Sequence, residues 1–253
     1  MTSFSHVSAY RFVELHDLPT LRVSLFAKGI EHGVRGIFLL APEGINLCLA
    51  GEDEGLRAYM AWLDEDARFA NLETKWSRSN EMPYGKLRVR LKGEIIRMNH
   101  PEVRPIEKRA PIVDASTLKR WLDNGKDDEG REVVLIDTRN AFELDYGAFE
   151  GALDFKLERF SSFPAAIQAH RSELEGKAIV TYCTGGIRCE KAAIHMEGLG
   201  MSHVYQLDGG ILRYFEQVGE AHYKGGCFVF DRRVQVTASD MEKERAHEAA
   251  SLR

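Results

Sequence analysis

The sequence predicts two domains of different fold class, an α+β domain followed by an α/β domain with a central parallel sheet. Three observations support this prediction. The first hundred residues alternate strand-like and helix-like runs in the order β-α-β-β-α-β. A segment with three prolines and alternating charges separates them from the rest of the chain. The rest contains short apolar strands followed by helical runs, a pattern typical of parallel sheets.

The elements of the first domain, residues 1–98, follow from local patterns. After a strand-like run, Asp17-Leu18-Pro19 predicts a helix start, because Asp favours the N-cap position and Pro the first turn. Two extended runs flank the turn Pro42-Glu43-Gly44, and a second helix from Asp53 to about Phe69 has apolar residues at steps of three and four. Further strands follow. This order is that of the ferredoxin-like (acylphosphatase-like) fold.

The last strand candidate of this domain begins KLRVRLK, and its strict alternation places four basic side chains on one face. We call them the basic stripe: Lys86, Arg88, Arg90 and Lys92. Like charges in a row repel each other unless something neutralises them, so the stripe is either a solvated outer face or an RNA-binding surface that follows a phosphate backbone. Trp76, Met82 and Tyr84 either stack on bases there or belong to the core.

Composition is that of a globular protein without a membrane segment. The 253 residues are 44% hydrophobic and 29% charged, and no apolar run approaches the length that spans a bilayer. The beginning of the chain lacks a secretory signal pattern. The four cysteines form no C-x2-C pair, so we expect reduced thiols in a cytoplasmic protein.

The net charge of −5 argues mildly against a dedicated nucleic-acid binder, but its distribution argues the other way. Residues 75–109 contain ten Lys or Arg and four Glu, a local excess of six. Phosphate binding depends on such local patches more than on the total charge.

The remaining domain boundaries follow from composition. Residues 99–111 are predicted to be a linker because of their prolines and alternating charges. The second domain is expected over residues 112–222. Residues 223–253 are expected to supply a further strand segment and a charged tail.

Residues 182–192, YCTGGIRCEKA, are the most informative part of the chain. An apolar strand ends at Cys183, and a helical run begins a few residues later. The loop between them would surround the sulfur with inward-facing N–H groups, the positive end of a helix dipole and an arginine: Thr184, Gly185, Gly186, Ile187 and Arg188. Each of these favours the thiolate, so we predict a catalytic Cys183 of lowered pKa in an anion- or substrate-binding loop.

The spacing C-x4-R in this loop resembles that of the rhodaneses rather than the C-x5-R of protein tyrosine phosphatases. Asp137-Thr138-Arg139 after an apolar strand resembles the D-x-R of rhodaneses. The run 146–152, YGAFEGA, and the run 204–210, VYQLDGG, resemble two of their turns. The resemblance implies a rhodanese-like second domain.

The whole chain, over residues 5–236, resembles the bacterial tRNA uridine hydroxylases, a family of rhodanese-domain proteins. The resemblance rests on the active loop, on APEGIN at 41–46 and on GGCFVFDRRV at 225–234. It implies oxygen-dependent 5-hydroxylation of the wobble uridine in tRNA anticodons, with an essential Cys183. It also implies tRNA as partner and molecular oxygen as co-substrate. We identify no metal ligands and no G-x-G-x-x-G dinucleotide motif, and we expect neither DNA nor a membrane as partner.

Several roles stay open at this point. Cys183 either adds to carbon 6 of uracil or itself carries an oxidised or sulfurated form. Cys189 either resolves an oxidised Cys183 or is a small residue of the first helical turn. Asp137 and Arg139 either brace the loop or form an internal ion pair. Alternative functions are sulfur transfer from thiosulfate or a protein persulfide, and RNA binding without catalysis.

Overall fold

The computed structural model describes residues 3–243, which form two compact units. Within these residues the first unit contains 3–96 and 230–234, and the second contains 97–229 and 235–243. The segment predicted as a linker therefore belongs to the second unit. This segment contains no helix or strand, but its residues Val103 and Ala110 are buried. Burial of these two side chains holds the segment in place, whereas its prolines and charges alone predicted a free connection. Of the predicted tail, residues 244–253 lie outside the described residues.

The first unit has the predicted ferredoxin-like order with one added edge strand. Its elements are β1 (Phe4–Phe12), α1 (Leu18–Glu31), β2 (Arg35–Ala41), β3 (Gly44–Glu52), α2 (Asp53–Asp64), β4 (Lys75–Ser79) and β5 (Leu87–Leu91). The sheet order is β4-β1-β3-β2-β5. Neighbouring strands are antiparallel except for β5, which runs parallel to β2 at the edge. Apolar side chains from one face of the sheet pack with α1 and α2 in a single core.

The start of α1 differs in detail from the prediction. Asp17 occupies the N-cap position, but its side chain makes no cap hydrogen bond. Its carboxylate instead accepts from Arg68, with Nη1 to Oδ1 at 2.6 Å. The helix start is therefore marked by the proline in the first turn and not by a capping side chain of Asp17.

The turn between β2 and β3 explains why APEGIN is a structural signature. Gly44 has φ +145°, and a Cβ there would lie 2.0 Å from the carbonyl oxygen of Arg11. Glu43 Oε1 accepts from the backbone N–H of Ile95 at 2.7 Å, and Asn46 Nδ2 lies 3.4 Å from the Ile95 oxygen. These contacts from the turn hold the segment around Ile95, which follows β5. The strand predicted over 86–96 accordingly ends at Leu91.

Residues 230–234, part of the second signature, pack on the first unit. Asp231 and Arg233 form an ion pair with Oδ2 and Nη2 at 2.6 Å, and Arg233 Nη1 donates to Ser77 Oγ at 2.7 Å. Tyr84 Oη lies 3.4 Å from Asp231 Oδ2, and burial raises the pKa of Tyr84. The side chain of Tyr84 is therefore engaged within the first unit, as the core alternative for this residue predicts.

The second unit is built on a parallel sheet, as predicted. Its elements are β6 (Ile112–Val113), α3 (Ala115–Asn124), β7 (Val133–Asp137), α4 (Ala141–Leu144), β8 (Gly147–Phe149), β9 (Leu153–Asp154), α5 (Phe163–His170), β10 (Ala178–Tyr182), α6 (Ile187–Gly198), β11 (Val204–Leu207), α7 (Gly210–Val218), β12 (Tyr223–Gly225), β13 (Cys227–Phe228) and β14 (Gln235–Val236). The sheet order is β6-β11-β10-β7-β9, with all pairs parallel. Two short antiparallel pairs, β8–β12 and β13–β14, complete the unit.

The central position of β10 determines where chemistry can take place. All five of its residues are buried, and the chain leaves it at the carboxyl edge of the parallel sheet, where α/β folds commonly form their sites. Among residues 3–243, none of the helices combines the length and the apolar character that crossing a bilayer requires.

Candidate active site

Cys183 follows the last residue of β10, and the next residues turn around its sulfur as predicted. Gly186, with φ +107°, directs its N–H to Cys183 Sγ at 3.2 Å. Helix α6 begins directly afterwards, so its unpaired N–H groups face the sulfur. The side chain of Cys183 has no solvent exposure. A substrate therefore reaches the sulfur only when the surrounding residues move.

Several groups stabilise the charged form of Cys183. Burial by itself raises the pKa of a thiol. The S–H of Cys189, the guanidinium of Arg188 and the backbone N–H groups of both residues outweigh it, and they hold the pKa of Cys183 well below its ordinary value. These contacts favour the thiolate of Cys183 inside a loop closed to solvent, and the thiolate is the reactive form of a cysteine.

Arg188, the predicted arginine of the loop, is paired with a carboxylate from another element. It lies in the first turn of α6, is buried, and forms a bidentate ion pair with Glu143, with Nη1 to Oε1 at 2.5 Å and Nη2 to Oε2 at 2.9 Å. Its Nη2 also lies 3.4 Å from Thr184 Oγ1. Glu143 belongs to the short helix α4 and has no exposed side-chain surface. The pair fixes the arginine and, through Thr184, the loop.

Cys189 lies close enough to the nucleophile to take part in its chemistry. Its Sγ is 3.9 Å from Cys183 Sγ and 2.9 Å from the carbonyl oxygen of Gly186, so its proton can be donated to either. Burial and the adjacent thiolate raise the pKa of Cys189 well above its ordinary value. The raised pKa favours a protonated Cys189, whose S–H donates to the Gly186 carbonyl oxygen and lies within reach of the Cys183 sulfur. Glu190 and Lys191, the two charged residues that follow in the same helix, are also buried.

Of the two roles considered for Asp137 and Arg139, bracing of the loop or an internal ion pair, the structure has the ion pair. Arg139 Nη2 lies 2.6 Å from Asp137 Oδ2, and both side chains are fully buried. Arg139 also donates to the carbonyl oxygen of Gly147 at 2.8 Å, which fixes β8 rather than the loop. Bracing of the loop comes instead from the residue between them. The N–H and Oγ1 of Thr138 both donate to the carbonyl oxygen of Tyr182, at 3.0 and 2.8 Å.

A second support of the loop is the start of α7. The N–H groups of Ile211 and Leu212 donate to the carbonyl oxygens of Cys183 and Thr184 at 2.9 and 3.1 Å. Gly210, with φ +65°, allows this approach, since a Cβ there would lie 2.4 Å from the Cys183 oxygen. The LDGG turn is therefore required for the backbone geometry of the active loop.

The basic stripe lies in the first unit, on the edge strand β5. Leu87 and Val89 face the core, whereas all four side chains of the stripe are exposed. None of these four side chains forms an ion pair or a hydrogen bond with another residue between 3 and 243. Most other basic residues of 75–109 are committed: Lys75 is buried, and Arg78, Arg104, Lys108 and Arg109 have acidic partners. Trp76 packs against the core.

Comparison with known proteins assigns the chain to a family. Residues 4–95 match the family described as UPF0176 acylphosphatase like domain, and residues 114–217 match the Rhodanese-like domain family. A protein of Bordetella avium named tRNA uridine(34) hydroxylase is 58% identical over 231 residues, which cover 91% of this chain and 96% of that protein. A Variovorax paradoxus protein of the same name is 53% identical over 99% of this chain and 95% of its own length. The chain belongs to the tRNA uridine(34) hydroxylase family.

The two family matches show that this tRNA uridine(34) hydroxylase family member combines an acylphosphatase-like and a rhodanese-like domain, as predicted. A solved structure, the NMR structure of a Rhodanese-like domain from Anabaena, is 22% identical, with a TM-score of 0.37, and the match covers 46% of this chain and 79% of that one.

Two residues of this site, Glu143 and Thr138, are not predicted from the sequence. Thr138 is the middle residue of the D-x-R motif, whose charged residues carry the resemblance. Glu143 is 45 residues from Arg188, and only its place three residues after Asn140, a capping-box spacing, set it apart.

Proposed function

We propose that this protein hydroxylates carbon 5 of the wobble uridine of tRNA, using molecular oxygen as co-substrate and the Cys183 thiolate as nucleophile. The observation that carries the proposal is the match over more than nine-tenths of the chain to relatives of that name. The buried thiolate loop supports a catalytic role over RNA binding alone, because a binding module has no use for an activated sulfur.

In the proposed reaction, the Cys183 thiolate adds to carbon 6 of the uracil ring, and carbon 5 becomes electron-rich. One atom of O2 enters at carbon 5 and the other leaves as water. Two electrons and two protons for this step come from a cellular thiol or another reductant. Loss of the proton from carbon 5 and elimination of the sulfur restore the ring and the thiolate. Cys189 and the Gly186 N–H, at the distances given above, hold the leaving thiolate.

The tRNA is proposed to bind along the basic stripe in the cytoplasm. An anticodon loop is already single-stranded, so turning a uridine out of it costs little. The exposed and unpaired charges of the stripe suit a phosphate backbone, whose binding is strengthened by release of counterions. The stripe supplies affinity, while the identity of the base is recognised at the active loop.

The proposed activity is tested by deleting the gene in a host that contains it and analysing tRNA nucleosides by mass spectrometry. We expect 5-hydroxyuridine and its derivatives to disappear and to return when this chain is supplied. Growth without oxygen is expected to prevent their return. Full restoration without oxygen would refute the proposed co-substrate, and no restoration at all would refute the proposed activity.

Reversal of charge in the stripe is expected to weaken tRNA binding. Arg88→Glu removes one phosphate contact and adds repulsion, so the slope of log affinity against log salt should fall by roughly 0.7–0.9. The control is Arg22→Glu, an exposed arginine on helix α1 whose side chain has no ion-pair partner among the residues that the structure describes. It changes the net charge equally, away from the stripe. Equal weakening by both variants would show that total charge matters and the stripe does not.

A further inference from the structure

Three side chains of the second unit form a cluster of metal-ligating type away from the thiolate. One donor atom from each of His100, Glu102 and His195 lies within 4.8 Å of the other two. His100 Nδ1 and Glu102 Oε1 are 2.6 Å apart. The rings of His100 and His195 meet edge to face with centroids 4.8 Å apart. Two imidazoles and one carboxylate are thus already gathered in one place.

His195 is the rigid member of this cluster. It lies in the last turn of α6 and is only 9% exposed. Its imidazole makes no hydrogen bond to another residue between 3 and 243. Its ring nitrogens reach the adjoining cavity and are therefore available to a bound ion.

A cavity of about 370 Å³ adjoins the cluster. Glu102 and His195 line it, together with Arg104, Glu107, Lys108 and Glu197. These last four residues form two ion pairs, Arg104 with Glu107 and Lys108 with Glu197. The lining of the cavity therefore carries no excess of positive charge that would repel a cation. The cavity leaves room for water or another small ligand on one side of the cluster.

We propose that His100, Glu102 and His195 bind one divalent first-row transition-metal ion, with its remaining coordination positions open to the cavity. Two nitrogens and one oxygen suit Zn²⁺, Fe²⁺ or Co²⁺, and three protein ligands with an open position are a common arrangement. Bonds of about 2.0–2.2 Å set neighbouring ligand atoms roughly 3 Å apart, so the 2.6 Å pair of His100 and Glu102 opens slightly when both bind the ion. Rotation of Glu102, whose side chain is 64% exposed, allows this adjustment at little cost.

The proposed ion is distinct from the reaction centre. His195 lies eight residues after the start of α6, which places it about 12 Å along the helix from the end that faces Cys183. An ion there does not touch a base held at the thiolate. It instead ties residues 97–111, which contain His100 and Glu102, to α6. The inference therefore stands whether or not the proposed function holds.

The test is titration of the metal-free protein with Co²⁺, followed by its visible absorption, which reports the ligands directly. The protein would carry Cys183→Ser and Cys189→Ser, so that thiolates do not compete. We expect one Co²⁺ per chain with a spectrum free of sulfur charge transfer. His100→Ala and Glu102→Gln should each weaken binding at least about tenfold. Both positions are outside helices and strands, so these variants should fold even if His195→Ala does not.

The matched control is His203→Ala, a histidine of the same unit outside the cluster. It should bind Co²⁺ as the parent does. The proposal is overturned if the parent binds no Co²⁺ at a one-to-one ratio, or if His100→Ala and Glu102→Gln bind it as tightly as His203→Ala.

Discussion

Replacing Cys183 by serine is expected to reduce 5-hydroxyuridine formation at least about a thousandfold, because removal of a nucleophile that acts with its supporting groups costs most of the catalysis. Serine has nearly the volume of cysteine and can accept the Gly186 N–H that now points to Sγ at 3.2 Å. The loop should therefore keep its shape. A hydroxyl in the same place stays protonated at neutral pH, so it cannot replace the thiolate.

The measurement is nucleoside mass spectrometry of tRNA from the deletion strain supplied with Cys183→Ser or with a control variant, together with the affinity of each purified protein for tRNA. Affinity is expected to be unchanged, which separates catalysis from binding. The control is Cys48→Ser, since Cys48 lies in β3 of the first unit and burial raises its pKa to about 11. If Cys183→Ser restores the modification as well as Cys48→Ser does, Cys183 is not the nucleophile.

A pH profile of single-turnover rates gives a second readout of the same claim. The pKa of Cys183 is lowered in the folded protein. The thiolate is therefore present at neutral pH and is lost only as the pH falls through that lowered value. An ordinary thiol would gain activity steadily up to about pH 8.5. A rate that rises about tenfold per pH unit through neutrality would contradict the lowered pKa.

The features that the sequence predicted correctly are those encoded locally. The alternation in β5, the proline at the start of α1 and the strand-loop-helix around Cys183 each depend on neighbours within a few residues. The order β-α-β-β-α-β then leaves few topologies, and the observed sheet order β4-β1-β3-β2 is the ferredoxin-like one.

The features that it missed depend on contacts distant in sequence. Prolines and charges made residues 99–111 look like a linker, whereas burial of Val103 and ion pairing of Lys108 with Glu197 hold them on the second unit. Full burial of Cys183 depends on packing that no local pattern records. The His-x-Glu spacing of His100 and Glu102 is present in the sequence, contrary to the absence of metal ligands expected from it, but only the fold brings His195 next to these two residues.

The ion pair of Arg188 and Glu143 shows how such a distant contact governs stability. Glu143→Gln keeps the shape of the side chain but leaves a guanidinium that is 7% exposed without its countercharge. Arginine does not lose its proton in proteins, so the charge stays buried without its ion-pair partner and with only the charge of Cys183 and the more distant Asp137 to offset it. Breaking a buried pair in this way costs about 3–5 kcal/mol. For a unit of this size that lowers the midpoint of thermal unfolding by roughly 6–20 °C.

Unfolding of the second unit can be followed separately, because Trp121 is its one tryptophan and is buried in its core. With Trp62→Phe and Trp76→Phe as background, fluorescence reports that unit alone. Glu150→Gln, in an exposed pair with Lys224, should leave the midpoint unchanged. The double variant Glu143→Leu with Arg188→Met should lose less stability than Glu143→Gln, since it removes both charges and leaves none uncompensated. If the double variant is the less stable of the two, the energy of the site lies in its hydrogen bonds to the loop rather than in the cost of an unpaired charge.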